Sequence, residues 1–100
     1  MIEERLKNLN IVLPAAPAPA ANYVPYVITN KFTFISGQIP LIDGEMIQGK
    51  VGEDTEVETA VKAARACGLA IIAQLKEATN SKLDSISRIV KLGGFVNCVD

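Results

Sequence analysis

The chain has 100 residues and a mass of 10.7 kDa, which allows one domain at most. Ten Lys and Arg against 11 Asp and Glu leave a formal charge of −1, and 49% hydrophobic with 21% charged residues is a globular balance; together these exclude a disordered chain and argue against a nucleic-acid partner. There is no His, which removes Ser–His and Cys–His nucleophile pairs and histidine metal sites, so any chemistry rests on carboxylates, hydroxyls, Lys, Arg, Tyr, backbone groups or water.

In chain order, Met1 to Lys7 is charged and lacks the apolar stretch of a signal peptide. Glu3 to Leu9 reads either as a short helix, with Ile2, Leu6 and Leu9 on one side, or as a frayed arm. Pro14, Pro17 and Pro19 then forbid helix and central strand, so residues 14–21 are expected to run extended as a stiff arm along the surface. Val24 to Thr29 and Phe32 to Ser36 are rich in β-branched and aromatic residues and flank Asn30-Lys31, which predicts a hairpin. Phe32, Phe34 and Ser36 share one face of the second strand, and Pro25 marks the first as an edge or as unpaired at that residue. Asp43-Gly44 predicts a second, smaller hairpin.

Asp54 to Ala78 is the strongest helix signal. Thr55 with Glu58 has capping-box form, Asp54 is an equally good cap, and Asn80 is placed to close the helix. Val57, Val61, Ala64, Gly68, Ile71, Leu75 and Ala78 step by fours and threes, which predicts one buried stripe. Leu83 to Ile86 reads as a single helical turn, and Arg88 to Val99 as a long strand with a bulge at Gly93-Gly94. The expected architecture is α+β, a single domain over residues 1–100 with an arm at 1–22 and a core at 23–100. One helix covers one sheet face and the last strand leaves an open edge, so a partner chain is expected to close the sheet, or the chain is a piece of a longer one.

The two cysteines, Cys67 and Cys98, lack C-x-x-C spacing, so a reduced cytoplasmic setting is expected and both read as small buried hydrophobes. Ala66 to Leu75 is too short to span a bilayer, so no membrane partner is expected. Glu53, Asp54, Glu56 and Glu58 crowd the helix start, where they complement the helix dipole.

Asn22-Tyr23-Val24, the run Phe34-Ile35-Ser36-Gly37-Gln38-Ile39-Pro40, Ile89-Val90-Lys91 and Phe95 to Val99 together resemble the reactive-intermediate deaminase family (Rid, or YjgF-type, also called endoribonuclease L-PSP). The resemblance covers Pro14 to Asp100 and rests mainly on the S-G-Q-I-P run. It implies a chorismate-mutase-like α+β fold, with an antiparallel or mixed sheet and helices on one face. It also implies a homotrimer whose sheets form a central barrel, with clefts between subunits that bind small carboxylates such as 2-oxo and 2-imino acids. The best-known members hydrolyse enamines and imines, such as 2-aminoacrylate, to 2-oxo acids and ammonia, with no cofactor and no metal.

By the same resemblance Tyr23 and Gly37 are the ligand-binding residues. The family's carboxylate-clamping arginine and water-positioning glutamate lie in a continuation beyond residue 100, so no catalytic residue is named. Deaminating members usually carry G-P-Y-[SV]-Q where this chain has Asn22-Tyr23-Val24-Pro25-Tyr26. Read without the resemblance, Tyr23 is an interface aromatic with a wet hydroxyl and Gly37 a turn glycine; Tyr26 is the alternative to Tyr23. Ser36 and Gln38 read as satisfying local backbone groups. Four functions compete: an imine or enamine deaminase, a non-catalytic small-carboxylate binder, a structural or chaperone-like trimer, and a ribonuclease, which the charge disfavours.

Overall fold

The computed structural model describes residues 1–18 and 22–100. The fold is α+β and divides into two compact units: Met1–Gln38 with Leu69–Arg88, and Ile39–Gly68 with Ile89–Asp100. One long helix contributes its C-terminal half to the first unit and its N-terminal half to the second.

In the first unit, the helix alternative at the N-terminus is the one observed. Helix α1 spans Ile2–Asn8, with Glu3 and Glu4 in its first turn and Arg5 and Lys7 in its last, the arrangement its dipole favours. Seven residues are too few to hold a helix in water unaided, so its stability must come from what it touches. It meets a 3₁₀ turn at Leu83–Ser85, the helical turn expected there. Leu6 and Leu83 are the buried side chains of these two elements. Asp84 closes the contact: its carboxylate accepts the Met1 ammonium at 3.0 Å and the Ile2 N–H at 2.8 Å. Lys76 and Glu3 form a second, exposed ion pair at 3.5 Å, which adds little in water.

Residues 11–18 contain neither helix nor strand, in line with their prolines; the rest of the expected extended run, 19–21, lies outside the described residues. The Pro17 carbonyl accepts a hydrogen bond from Gln74 Nε2 at 2.8 Å, so this segment lies against the long helix.

Strands β1 (Tyr26–Thr29) and β2 (Phe32–Ile35) pair antiparallel in the register Tyr26 to Ile35 and Thr29 to Phe32. That register leaves Asn30-Lys31 as a two-residue turn, and Asn30 takes a φ of 53°, a conformation asparagine adopts more readily than most residues. Phe32 and Phe34 do share a face, with ring centroids 6.5 Å apart. Pro25 sits just before β1, where its missing N–H costs no ladder bond.

The long helix, α2, spans Val57–Ala78. Its end is a Schellman motif: the Ser81 N–H reaches the Lys76 carbonyl at 2.7 Å and the Asn80 N–H the Glu77 carbonyl at 3.1 Å, with Asn80 at φ 53°. The buried face differs from the expected stripe. Ala70, Ala73 and Gln74 are buried, whereas Val57, Val61, Ala64 and Gly68 are not. The reason is what covers the helix: the N-terminal segment meets it at Gln74 and Lys76, and small side chains admit close approach there.

In the second unit, β3 (Leu41–Ile42) and β4 (Glu45–Met46) form the expected small hairpin. Asp43 and Gly44, at φ 51° and 82°, make the type I′ turn that a two-residue loop favours. Asp54 does not cap α2 as expected. Its carboxylate instead accepts the Lys50 N–H at 2.6 Å and the Thr55 hydroxyl at 3.1 Å, closing the loop ahead of the helix. The helix ladder begins later, with the Ala60 N–H on the Glu56 carbonyl.

The expected strand over Arg88 to Val99 is reduced to one bridge between Val51 and Cys98. Two backbone bonds make it, Val51 N–H to the Asn97 carbonyl at 2.9 Å and Val99 N–H to the Val51 carbonyl at 3.0 Å. A strand needs a partner along its length, and among the described residues only Val51 supplies one. Residues 88–100 are consequently exposed, Phe95 completely so, and Cys98 is exposed rather than a buried hydrophobe.

Two outcomes follow from this core. Leu83→Ala should lose about 2–5 kcal/mol of unfolding free energy in urea titrations, as a buried leucine does. Lys62→Ala should change it by less than about 0.5 kcal/mol, and Gly68→Ala should raise it by about 0.5–1 kcal/mol, because Lys62 is exposed and a Cβ at Gly68 meets nothing within 4 Å. A loss at Gly68→Ala as large as that at Leu83→Ala would restore the stripe expected from the sequence.

A pH effect belongs to the α1 contact. The Ile2 N–H first, and then the Met1 ammonium, hold the Asp84 carboxyl below its usual range. A depressed folded value means the contribution is present above the unfolded value, about 4, and fades as pH falls through the folded one. Acid titration of α1 order, followed by NMR, should therefore show loosening below about pH 4 in wild type, with Asp84→Asn already loosened and flat across that range.

Candidate ligand site at the open end of the first hairpin

The hairpin β1–β2 does not end with its last strand pair. The Ser36 N–H donates to the Pro25 carbonyl at 2.9 Å, and the Ser36 hydroxyl donates to the Val24 carbonyl. Gln38 Nε2 donates back to the Ser36 carbonyl at 2.8 Å. Ser36 and Gln38 thus act on local backbone, as their positions at a strand end suggested. These bonds tie the segment entering β1 to the segment leaving β2.

Tyr23 and Gly37 each lie one residue outside that tie. The structure therefore brings the two sequence-predicted residues to the same end of the hairpin from opposite strands. Tyr23 is 42% exposed. A Cβ added at Gly37 would meet nothing within 4 Å, so the space beside its backbone is open to an incoming molecule. The N–H and C=O of Gly37 itself make no hydrogen bond with the described residues. Tyr26, the alternative, is half-buried and sits within the ladder opposite Ile35, one step inside this end. A phenol hydroxyl and an uncovered peptide can orient a small polar molecule by hydrogen bonding.

The other candidates separate from this end. Asp54 is drawn below its usual range, first by the Lys50 N–H and then by the Thr55 hydroxyl, so its lone pairs serve the loop. Burial pushes the Cys67 thiol up, away from the thiolate a nucleophile needs. No group of three His, Cys, Asp or Glu that could hold a metal occurs among the described residues. Likewise, none of their helices is long and apolar enough to cross a membrane.

Sequence reasoning missed Gln74. It is 2% exposed, the one buried polar side chain among the described residues. Its signal was present in Ile71-Ile72-Ala73-Gln74-Leu75, an amide inside an apolar run, because a buried amide must find a partner.

Residues 3–100 match the family model described as "YjgF/chorismate mutase-like, putative endoribonuclease". The chain belongs to this family. Over 97 residues it is 42% identical to Protein TCP17 of Trypanosoma cruzi, covering 96% of this chain and 60% of that protein. Over 87 residues it is 31% identical to Protein HMF1 of Saccharomyces cerevisiae, covering 86% of this chain and 57% of that one. The chain thus spans 60% and 57% of the lengths of these two relatives. Among solved structures it resembles a protein of unknown function from Agrobacterium tumefaciens, with 42% identity, a TM-score of 0.76, and coverage of 89% of this chain and 54% of the other. It also resembles "a putative endoribonuclease" from Shewanella oneidensis MR-1, with 38% identity, a TM-score of 0.71, and coverage of 78% and 52%. The α+β, chorismate-mutase-like fold implied by the S-G-Q-I-P resemblance is therefore the fold of this chain.

Glycine substitutions separate the open site from the packed loop. Gly37→Val should leave thermal stability within about 0.5 kcal/mol of wild type. Gly52→Ala should cost about 1–3 kcal/mol, because Gly52 sits at φ +92° and its new Cβ would lie 2.6 Å from Val99 Cγ2. Differential scanning calorimetry of both variants checks this; a destabilised Gly37→Val would show that its surroundings are closed.

Proposed function

We propose that the chain binds short 2-oxo and 2-imino carboxylates at the Tyr23–Gly37 end of the hairpin and takes part in the hydrolysis of imines to 2-oxo acids and ammonia. The cleft in this reading lies between subunits of a homotrimer. The observation that carries it is the Ser36 tie, beyond which an exposed tyrosine and a glycine with open space beside its backbone each follow by one residue. Exposed Val27, Ile28, Phe32 and Phe34 on the same hairpin support burial against a neighbouring subunit.

The chemistry suits a chain without histidine. An enamine such as 2-aminoacrylate gains a proton at its terminal carbon and loses one from nitrogen, which makes it the imine. Water adds to the imine carbon, the nitrogen takes the proton, and the carbinolamine collapses to the 2-oxo acid with loss of ammonia. Holding the carboxylate in place and donating hydrogen bonds to developing charge are the main demands. Tyr23 is assigned the phenol hydrogen bond and Gly37 the backbone contact. A charge of −1 disfavours the ribonuclease alternative. Binding without catalysis is the second reading, favoured by Asn22-Tyr23-Val24-Pro25-Tyr26 in place of the deaminating pattern.

The test adds the chain to threonine dehydratase turning over threonine, follows ammonia release, and titrates 2-oxobutyrate separately. Faster release that Gly37→Val abolishes supports the deaminase; 2-oxobutyrate binding with no change in release selects the binder. Tyr23→Phe should weaken 2-oxobutyrate by several-fold, the loss of one hydrogen bond of about 0.5–1.5 kcal/mol. Binding unchanged in Gly37→Val removes Gly37 from the site, and no binding by wild type ends the small-carboxylate reading. A monomer at micromolar concentration in light scattering ends the intersubunit cleft.

A further inference from the structure

Pro25 leaves a gap in the hydrogen bonding of the first hairpin. The register that pairs Tyr26 with Ile35 sets Pro25 opposite Ser36. The Ser36 N–H donates to the Pro25 carbonyl at 2.9 Å, which makes this a hydrogen-bonded pair, the kind in which each residue donates to the other. Proline has no N–H to return, so among the described residues the Ser36 carbonyl receives no backbone donor. The Gln38 side chain supplies one instead: its Nε2 donates to that carbonyl at 2.8 Å.

The Ser36 carbonyl and the Gly37 N–H belong to one peptide unit. That unit is planar and trans, so its N–H points opposite to its C=O. Whatever aims the carbonyl therefore aims the Gly37 N–H. Little else near Gly37 restrains it. Gly37 is exposed, a Cβ there would meet nothing within 4 Å, and its own N–H and C=O make no hydrogen bond with the described residues. Glycine also lacks the side chain that would narrow its φ. A donor on the carbonyl polarises the peptide as well, which strengthens the N–H on its far side as a donor. An N–H held in place before binding loses less freedom when it meets a ligand.

We infer that Gln38 is a positioning residue: it stands in for the N–H that Pro25 lacks, and through the Ser36 carbonyl it aims the Gly37 N–H at a carboxylate or oxo oxygen of the ligand. The inference rests on the proposed ligand site, and it adds a residue that acts through the Ser36–Gly37 peptide.

The test compares wild type, Gln38→Met, and Gln38→Met combined with Pro25→Ala. Met is close to Gln in volume and has no donor; the second change returns an N–H opposite the Ser36 carbonyl. Two readouts need no ligand: the backbone ¹⁵N order parameter of Gly37, and the ¹³C shift of the Ser36 carbonyl, which follows the hydrogen bond it accepts. Two more use 2-oxobutyrate: its affinity, and the shift of the Gly37 amide proton at saturation. In Gln38→Met the order parameter should fall and the carbonyl resonance should move upfield. Affinity should drop about three- to ten-fold, and the amide-proton shift should shrink. Adding Pro25→Ala should recover all four, because the inference needs a donor at that carbonyl and not a glutamine. A merely structural loss at position 38 would lower thermal stability and gain nothing from Pro25→Ala.

An unchanged Gly37 order parameter in folded Gln38→Met overturns the inference whatever the ligand does. A lowered one that Pro25→Ala leaves low overturns it too, since the donor is then not what was lost. A lowered order parameter with unchanged affinity and amide-proton shift overturns the positioning role, while binding by wild type leaves the proposed site standing. If wild type binds nothing, the proposed site fails, and the two ligand-free readouts decide whether Gln38 holds the peptide. Should Gln38→Met not fold, Gln38→Asn takes its place with the same outcomes expected, because its amide falls one carbon short of the carbonyl.

Discussion

Ser36 is the residue on which the geometry of this chain turns. One hydrogen bond extends the ladder to Pro25, and another from the hydroxyl captures Val24. Each is worth about 1 kcal/mol, small against a whole fold. Their importance is that they act where a two-stranded ladder would otherwise fray. A hairpin of four residues a side is marginal in water, and its open end is the first part to separate. The candidate site lies at that end, so its two residues stay together only as long as the tie holds.

The same economy governs the charged groups. Asp54 and Asp84 both have backbone N–H groups as their leading partners, one closing a loop and the other fastening α1 to the 3₁₀ turn. These two carboxylates are thus committed to the fold. What the proposed site offers a ligand is neutral: a phenol and a peptide. Neutral donors recognise an anion by direction as much as by attraction, which makes their placement the deciding quantity.

Local chemistry in the sequence was legible wherever a residue acts on its own neighbours. Asn30-Lys31 and Asp43-Gly44 are turns because Asn30, Asp43 and Gly44 tolerate positive φ, and Asn80 closes α2 for the same reason. The run Ser36 to Pro40 pointed to the correct family, and it places Ser36 beside Gly37 by simple adjacency. Features that depend on distant partners were read less well. A helical stripe says which residues are apolar and not which element will arrive, so the buried face fell on Ala70, Ala73 and Gln74 instead of Val57 and Val61. Arg88 to Val99 has the composition of a strand, but composition cannot supply the neighbouring strand, and among the described residues only Val51 does so. Asp54 shows the converse. It had two local uses, cap and loop, and the Lys50 N–H decided between them.

Because Asn30-Lys31 fixes one end of the first hairpin and Ser36 the other, the span between is a matter of counting. Val24 and Ser36 are 12 positions apart, and that number is set by the register and not by the identity of most residues in it. Along a strand the side chains alternate, so one added or deleted residue in either arm sends everything beyond it to the opposite face. The side chains of β1 and β2 can therefore drift over time with little consequence for the site. Their length cannot. Insertions that a surface loop would absorb elsewhere would here separate a tyrosine from a glycine, and descendants of this chain should vary in letters between Val24 and Ser36 while keeping the number of letters constant.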